Sequence, residues 1–152
     1  MRENMNLPLN CEALMKANSS IPKISLEESV RRHVFLMLIS RFGSNRCFPE
    51  YGSELWEHDF ENLKTLDNKK PQLEHAIKTM MAQHEKRLGD VRISIQIKEE
   101  PFQDPLKTTR KITKKIEVKI KGILLETNKV FDPPTYVIFF SPVALDINNN
   151  LK

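Results

Sequence analysis

Several residue types that mark secreted or membrane proteins are scarce in this sequence. Its 152 residues include only 2 cysteines and 4 glycines. Cys11 and Cys47 are too few and too far apart for a disulfide framework, which favours a reducing compartment. No apolar run approaches the roughly 20 residues that span a bilayer, and residues 1–9 lack the apolar core of a secretory signal. These absences predict a soluble cytoplasmic protein with no membrane insertion.

Charged residues are abundant and nearly balanced. The chain has 24 Lys and Arg against 20 Asp and Glu, for a net charge of +4. Such a mixture favours an ordinary solvated surface over a dedicated polyanion-binding face. The length fits one domain, which buries roughly 70% of its unfolded surface. We divide the chain into an N-terminal arm (1–24), a single domain (25–147) and a polar tail (148–152).

Helical patterns fill the first half of the chain. A capping-box pattern at residues 25–28 predicts a helix that stops near Gly43. Apolar side chains nearly encircle its last turns, which indicates burial at the centre of the fold or contact with a partner. A short helix over 54–60 and a connection follow. Pro71 then starts a helix for which Gly89 is the predicted C-terminal stop.

The apolar period changes from 3.6 to 2 in the second half. Residues 91–98 and 112–121 alternate between apolar and polar, which predicts two half-buried strands joined by a long loop at 99–109. The apolar run 136–140 predicts a third strand, which is either buried on both faces or contributes to an interface with a partner. Helices followed by strands predict an α+β fold, with N-terminal helices packed on one face of a small C-terminal antiparallel sheet.

The connection after the first long helix carries a distinctive combination of residues. Residues 43–55 read Gly-Ser-Asn-Arg-Cys-Phe-Pro-Glu-Tyr-Gly-Ser-Glu-Leu and hold half of the glycines. Gly43 and Gly52 mark changes of chain direction, and Pro49 fixes its own φ. The stretch is therefore predicted to be an ordered loop of defined shape, and such loops often carry function.

This stretch resembles the signature of the baseplate wedge family, the sheath-initiating proteins of contractile tails, which includes TssE of type VI secretion systems. The usual form is Gly-x-Arg followed by Pro-x-Tyr/Phe-Gly-x-x-Leu, and here one extra residue precedes Arg46. The family also carries Glu-Pro-Arg at the end of the helix before the first strand. Glu85 and Arg87 match it, with Lys86 in place of proline. The likeness covers about residues 25–140.

The resemblance implies a structural role without catalytic residues, metal or cofactor. Proteins of this family join a wedge with other baseplate proteins (here TssF-like, TssG-like and TssK-like) in a cytoplasmic baseplate docked at the membrane. They nucleate the sheath (TssB/TssC-like subunits) at an edge of the sheet. The implied partner-binding residues are Arg46, Phe48, Pro49, Tyr51, Gly52, Glu85, Arg87, Tyr136, Ile138 and Phe140.

The Glu85–Arg87 pair also has a plain interpretation as a solvated helix end. Two residues apart at a helix terminus, the side chains are expected to point in different directions, each to its own partner. The four histidines and two cysteines show none of the spacings of metal ligands.

Two other functions are weighed against the structural one. A peptidoglycan-cleaving tail enzyme needs two carboxylates at a set separation, and the acidic residues of 50–61 single out no pair. Nucleic-acid binding would rest on the basic residues of 110–121, which alternate with apolar ones and are interrupted by Glu117. The same lysines, Lys114 among them, suit a solvent face that protects an edge strand, or a face that meets an acidic protein.

Overall fold

The structure is a computed structural model that describes residues 4–5, 11–15, 22–58, 61, 63–103, 110–140 and 143–144. The helices are α1 (Cys11–Met15), α2 (Leu26–Ile39), a 3-10 helix (Glu54–His58), α3 (Leu63–Asn68) and α4 (Lys70–His84). The strands are β1 (Asn4–Met5), β2 (Lys23–Ile24), β3 (Leu88–Gln103), β4 (Arg110–Leu124), β5 (Lys129–Phe131), β6 (Tyr136–Phe139) and β7 (Val143–Ala144).

Helix α2 begins where the sequence predicts and ends earlier. Ser25 is the N-cap, and its side chain accepts a hydrogen bond from the backbone N–H of Glu28 at 3.1 Å. The helix stops at Ile39 because Ser40 takes extended backbone geometry, with ψ at 139°. Both the hydroxyl and the N–H of Ser40 donate to the carbonyl of Leu36, so a carbonyl of the last turn is satisfied.

The middle of the chain differs from its prediction in three places. The predicted helix 54–60 is a 3-10 helix that ends at His58, and the predicted connection contains α3. Pro71 lies in the first turn of α4, as expected. However, α4 ends at His84, and Gly89 lies in a strand. The helix stops early because Glu85 leaves helical geometry, with φ −119° and ψ 79°.

Strand β4 is the centre of the main sheet. β3 pairs along one side of it, and β5, β6 and β7 follow one another along the other side, all antiparallel. Separately, β1 pairs with β2, which brings the two ends of the N-terminal arm together. The register of β3 against β4 shifts between Gly89 and Arg92, which is a β-bulge at the start of the strand.

The two long strands extend further than the sequence predicts. Residues 99–103 belong to β3 instead of to the predicted loop, and Pro101 pairs with Ile112 of β4. Proline is tolerated there because β3 lies at an edge of the sheet and no ladder donor is lost. Residues 104–109, the rest of the predicted loop, lie outside the described part.

The core lies between the helices and the inner face of the sheet, which confirms the α+β class. The buried apolar residues come from α2, the 3-10 helix, α3, α4 and every second position of β3, β4 and β6. Lys114 is an exception to its predicted place on the solvent face. It is buried, and its ammonium group donates to the backbone carbonyl of Glu61.

The outer face of the sheet is charged, and three of its lysines are paired with carboxylates. The ion pairs are Lys98–Glu117 at 3.1 Å, Lys115–Glu100 at 2.9 Å and Lys121–Asp132 at 2.8 Å. Solvent screens these exposed pairs, so each contributes little to the free energy of unfolding. The pairing reduces the positive charge that this face offers to phosphates.

No helix of the described residues combines the length and apolar character that a bilayer crossing requires. In the same residues no group of three or more His, Cys, Asp or Glu side chains is arranged to hold a metal ion. Cys11 and Cys47 both lie at the surface.

Candidate partner-docking site

A partly buried ionic cluster lies just beyond the end of α4. Arg87 folds back on Glu85: its Nε donates to Oε1 at 2.8 Å and its Nη2 donates to Oε2 at 2.6 Å. The backbone N–H of Arg87 also donates to Oε1, at 3.2 Å. The expectation that the two side chains point in different directions is therefore wrong. The chain leaves the helix at Glu85, and this turn brings the guanidinium over the carboxylate.

The same carboxylate reaches helix α2. His33 Nδ1 lies 2.7 Å from Glu85 Oε2, and because an ionised carboxylate only accepts, Nδ1 carries the hydrogen. Arg87 Nη1 donates to the hydroxyl of Ser29 at 3.0 Å. We call Ser29, His33, Glu85 and Arg87 the Glu85 cluster. It joins α2, the end of α4 and the start of β3, and the sequence offered no signal that His33 belongs to it.

Burial and hydrogen bonding act in opposite directions on Glu85. Its side chain is only 2% exposed, and burial alone would raise its pKa. The hydrogen bonds from Arg87 and His33 outweigh burial and lower the pKa of Glu85 to about 2. The carboxyl is therefore ionised at neutral pH, paired on both oxygens, and unsuited to act as a general acid.

Tyr51 connects the Glu85 cluster to the loop at residues 40–53, which we call the 40–53 loop. Its ring stacks on His33 with 6.0 Å between centroids and meets the ring of His84 edge-on at 5.3 Å. Burial, with a smaller contribution from the charge of Glu85, raises the pKa of Tyr51. This predicted site residue thus has a packing role, holding the loop against α2 and α4.

Backbone hydrogen bonds give the 40–53 loop its shape. Ser53 N–H donates to Ser40 O at 2.8 Å, and Gly43 N–H donates to Pro49 O at 2.8 Å. Gly52 has φ +147°, and a Cβ there would lie 2.8 Å from the carbonyl carbon of Arg41. Only glycine fits at this position, because both the dihedral angle and the contact exclude a side chain.

The tip of the loop faces solvent. The side chains of Arg46, Phe48 and Pro49 are exposed, and Phe48 keeps 66% of its surface. Asn45 Oδ1 accepts from the N–H groups of Cys47 and Phe48, at 2.9 and 3.3 Å. Within the described residues Arg46 makes no hydrogen bond or ion pair. An ordered loop therefore presents a cation and an aromatic ring outwards.

Strand β6 alternates between buried and exposed side chains. The predicted site residues Tyr136 and Ile138 are buried, as is Phe140 just beyond the strand. The exposed side chains are those of Val137 (39%) and Phe139 (54%). The sequence prediction missed these two because a continuous apolar run hides the period of 2. The residues of β4 that pair with Val137 and Phe139 are polar, and this was the available signal.

The backbone of β6 has a free edge within the described residues. Phe140 N–H donates to Lys114 O on β4 at 2.9 Å. Because donors alternate in an antiparallel ladder, the N–H groups of Ile138 and Tyr136 also face β4. Those of Val137 and Phe139 face away from it. In the described chain no strand pairs with that side of β6.

The opposite edge of the sheet, along β3, is closed to strand pairing near its middle. Glu74 of α4 accepts a hydrogen bond from Ile95 N–H on β3 at 2.9 Å, so this outward donor is occupied. The same alternation places the nitrogen of Pro101 on that side, and proline has no N–H group to donate. A covered donor and a proline are devices that protect an edge from unwanted pairing. The two edges of the sheet are thus unequal.

Comparison with solved structures finds a similar architecture in a tail protein. A crystal structure of a candidate tail lysozyme from Geobacter sulfurreducens is similar to this chain, with a TM-score of 0.55 and 16% sequence identity. The match covers 80% of this chain and 97% of that one. At this identity the likeness shows the fold alone.

The sequence itself identifies the family. Residues 24–129 match the family of the baseplate wedge protein gp25, and since they are more than half of the chain, it belongs to that family. No curated protein matches it. The resemblance carried by the 40–53 loop and by Glu85 and Arg87 is confirmed at the level of the family. A structural role in a baseplate, in association with other baseplate components, follows from this membership.

We predict that Glu85→Gln destabilises the protein by about 3 kcal/mol at pH 7, because it leaves a half-buried guanidinium without its carboxylate. Glu85 has a lowered pKa, so its stabilisation is present above the ordinary value of 4.5 and is lost as the pH falls towards 2. The free energy of unfolding, measured with urea between pH 2 and 7, should therefore fall less steeply at acid pH for Glu85→Gln than for wild type.

Glu28→Gln is the matched control. The pKa of Glu28 is also lowered to about 2, by hydrogen bonds from Arg31 and Arg32, but solvent screens this surface group. Glu28→Gln should therefore change the pH dependence of the free energy of unfolding less than Glu85→Gln does. An equal change in both variants would contradict the central place of the Glu85 cluster.

We predict that Gly52→Ala destabilises the fold by about 2 kcal/mol, because it forces a strained φ and a clash with the backbone of Ser40 and Arg41. Gly43→Ala should cost about 1 kcal/mol, since Gly43 has φ +74° but a Cβ added there would meet no atom within 4 Å. Thermal unfolding of both variants measures the difference. A loss at Gly43 equal to or larger than that at Gly52 would contradict this account, because Gly52 has both the more strained φ and the close contact.

Proposed function

We propose that this protein is a TssE-like structural component of a type VI secretion-like baseplate. It would work in the cytoplasm, in a baseplate docked at the membrane. It would join a wedge with TssF-like, TssG-like and TssK-like proteins and start the polymerisation of TssB/TssC-like sheath subunits. No cofactor and no nucleic acid are part of this role. Membership in the baseplate wedge family supports the proposal.

The single observation that carries the sheath-initiating part is the free edge of β6. Val137 and Phe139 direct their N–H groups away from β4, and their side chains are exposed. An extended segment of another protein adds to such an edge through backbone hydrogen bonds, while its side chains set the register. The covered edge of β3 directs this addition to β6.

The 40–53 loop supports docking to wedge partners. Arg46 and Phe48 are exposed on a loop whose backbone is held by internal hydrogen bonds. Arginine and aromatic residues are enriched at the centres of protein interfaces. Glu85 and Arg87 are paired with each other, so in this proposal they hold the loop and α2 in place for docking.

Val137→Pro tests the use of the β6 edge. The substitution removes one outward N–H group but no hydrogen bond to β4, so the fold is expected to persist while strand addition fails. Cells that carry the intact gene cluster should form no sheath with this variant, as seen by electron microscopy and by sedimentation of polymerised sheath.

Val137→Thr is the control, because threonine keeps the N–H group and the branched shape. It should support normal sheath formation. Pull-down of the wild-type chain from the same cells should recover sheath and wedge proteins. Normal sheath in the Val137→Pro strain, with folding verified by circular dichroism, would overturn the proposal.

A second candidate function is peptidoglycan cleavage, favoured by the name of the similar Geobacter protein and by a groove that Glu50 and Glu54 line together. In the described residues the carboxyl groups with a clearly shifted pKa are all shifted downwards, Glu85 and Glu28 furthest. A glycosidase acid needs a raised pKa. We therefore expect no clearing of purified cell walls. Clearing that Glu50→Gln and Glu54→Gln abolish would establish the enzyme.

A further inference from the structure

An open groove runs along helix α4, on the side that faces the 40–53 loop. The α4 residues that line it recur at helical spacing over three turns, from Gln72 to Gln83, a length of about 16 Å. Phe42 and Glu50 of the loop and Glu54 of the 3-10 helix line the facing wall. An open groove of this length suits a segment of another protein better than a small molecule, because small-molecule sites enclose most of the ligand surface.

Apolar side chains form part of this groove. They are those of Phe42, Ala76 and Met80. Met80 is 6% exposed, whereas Phe42 keeps 44% of its surface. An unbranched methionine side chain adapts to different neighbours. The groove therefore offers an apolar side chain of a partner the exposed ring of Phe42 and an adaptable residue beside it.

The fixed charges of the groove are negative. Its lining residues include two carboxylates, those of Glu50 and Glu54, and one imidazole, but no lysine or arginine. Oε1 of Glu54 accepts from Nε2 of Gln72 at 3.1 Å and lies 3.5 Å from Nε2 of His58. Glu50 is exposed and makes no hydrogen bond or ion pair within the described residues. The charge of Glu50 is therefore available to a cation of a partner.

The two walls of the groove are held in place by the fold. The hydrogen bond to Glu54 ties α4 to the 3-10 helix. Phe42 and Glu50 flank the hydrogen bond from Gly43 N–H to Pro49 O, which is 2.8 Å long. Because both walls are ordered before a partner arrives, docking costs less conformational entropy than it would on a mobile surface.

We propose that this groove docks a segment of a wedge protein that carries a lysine or arginine, which pairs with Glu50, and an apolar side chain, which packs on Phe42. This docking rests on the wedge assembly proposed above and adds the chemistry by which a wedge partner is recognised. The charge selects a basic segment, and the apolar contact supplies burial.

The charge is tested by biolayer interferometry of the purified full-length chain against the wedge proteins of the same gene cluster, purified as a complex without this chain. Glu50→Lys should bind about tenfold more weakly and show less salt dependence than wild type. The control Glu57→Lys makes the same change at an exposed residue of the 3-10 helix outside the groove. It should bind as wild type.

The apolar contact is tested by filling the groove. Ala76 lines it and is half-buried, so Ala76→Gln should obstruct a docked segment and weaken binding about tenfold. Ala82→Gln is the matched control, because Ala82 is an exposed residue of α4 outside the groove. Glutamine is a good helix former, so both variants should fold. Circular dichroism and thermal unfolding verify this for every variant.

The outcomes separate the groove from the wedge assembly itself. If wild type binds and both Glu50→Lys and Ala76→Gln bind equally well, wedge assembly stands and the groove is not used. If Ala76→Gln alone weakens binding, recognition of a basic side chain is wrong. If wild type binds no wedge protein, both proposals fail. A dimer in sedimentation equilibrium that Ala76→Gln dissociates would assign the groove to a second copy of this chain, and would also overturn the proposal.

Discussion

The arrangement of the protein depends on the buried carboxylate of Glu85. An ionised carboxylate removed from water costs several kcal/mol unless both oxygens are hydrogen-bonded. Arg87 and His33 supply those bonds, and they come from the start of β3 and from α2. The charge is therefore satisfied only when α2, the end of α4 and the sheet are docked together. A local ion pair in this way specifies a tertiary arrangement.

The two candidate interaction surfaces are both positioned by this cluster. Tyr51 stacks on His33, so the 40–53 loop takes its place from the same helix that carries the Glu85 cluster. That helix also presents Phe35 beside Tyr136 at the edge of the sheet. Helix α2 thus links Glu85 both to the loop and to the edge of β6. Glu85 and Arg87 act on partners through the scaffold that they hold.

Local patterns predicted more of the fold than of the site. The cap at Ser25, the period of 2 in β3 and β4, and the turn at Gly52 are all properties of a few neighbouring residues. The contacts of the site are long-range. Glu74 covers the N–H of Ile95 from another element, and His33 of α2 meets Glu85 beyond the end of α4. No spacing in the sequence encodes such pairs, because they exist only after the helices pack on the sheet.

The limited length of the β6 edge argues that side chains must supply much of any affinity for a partner strand. Only Val137 and Phe139 present outward N–H and C=O groups on this strand, and a net gain of about 1 kcal/mol per hydrogen bond gives about 4 kcal/mol. This corresponds to a dissociation constant of about 1 mM, too weak to start a stable polymer alone. A short edge with adjacent selective groups also limits unwanted pairing. Phe35, which is exposed beside Tyr136, offers apolar surface next to this edge.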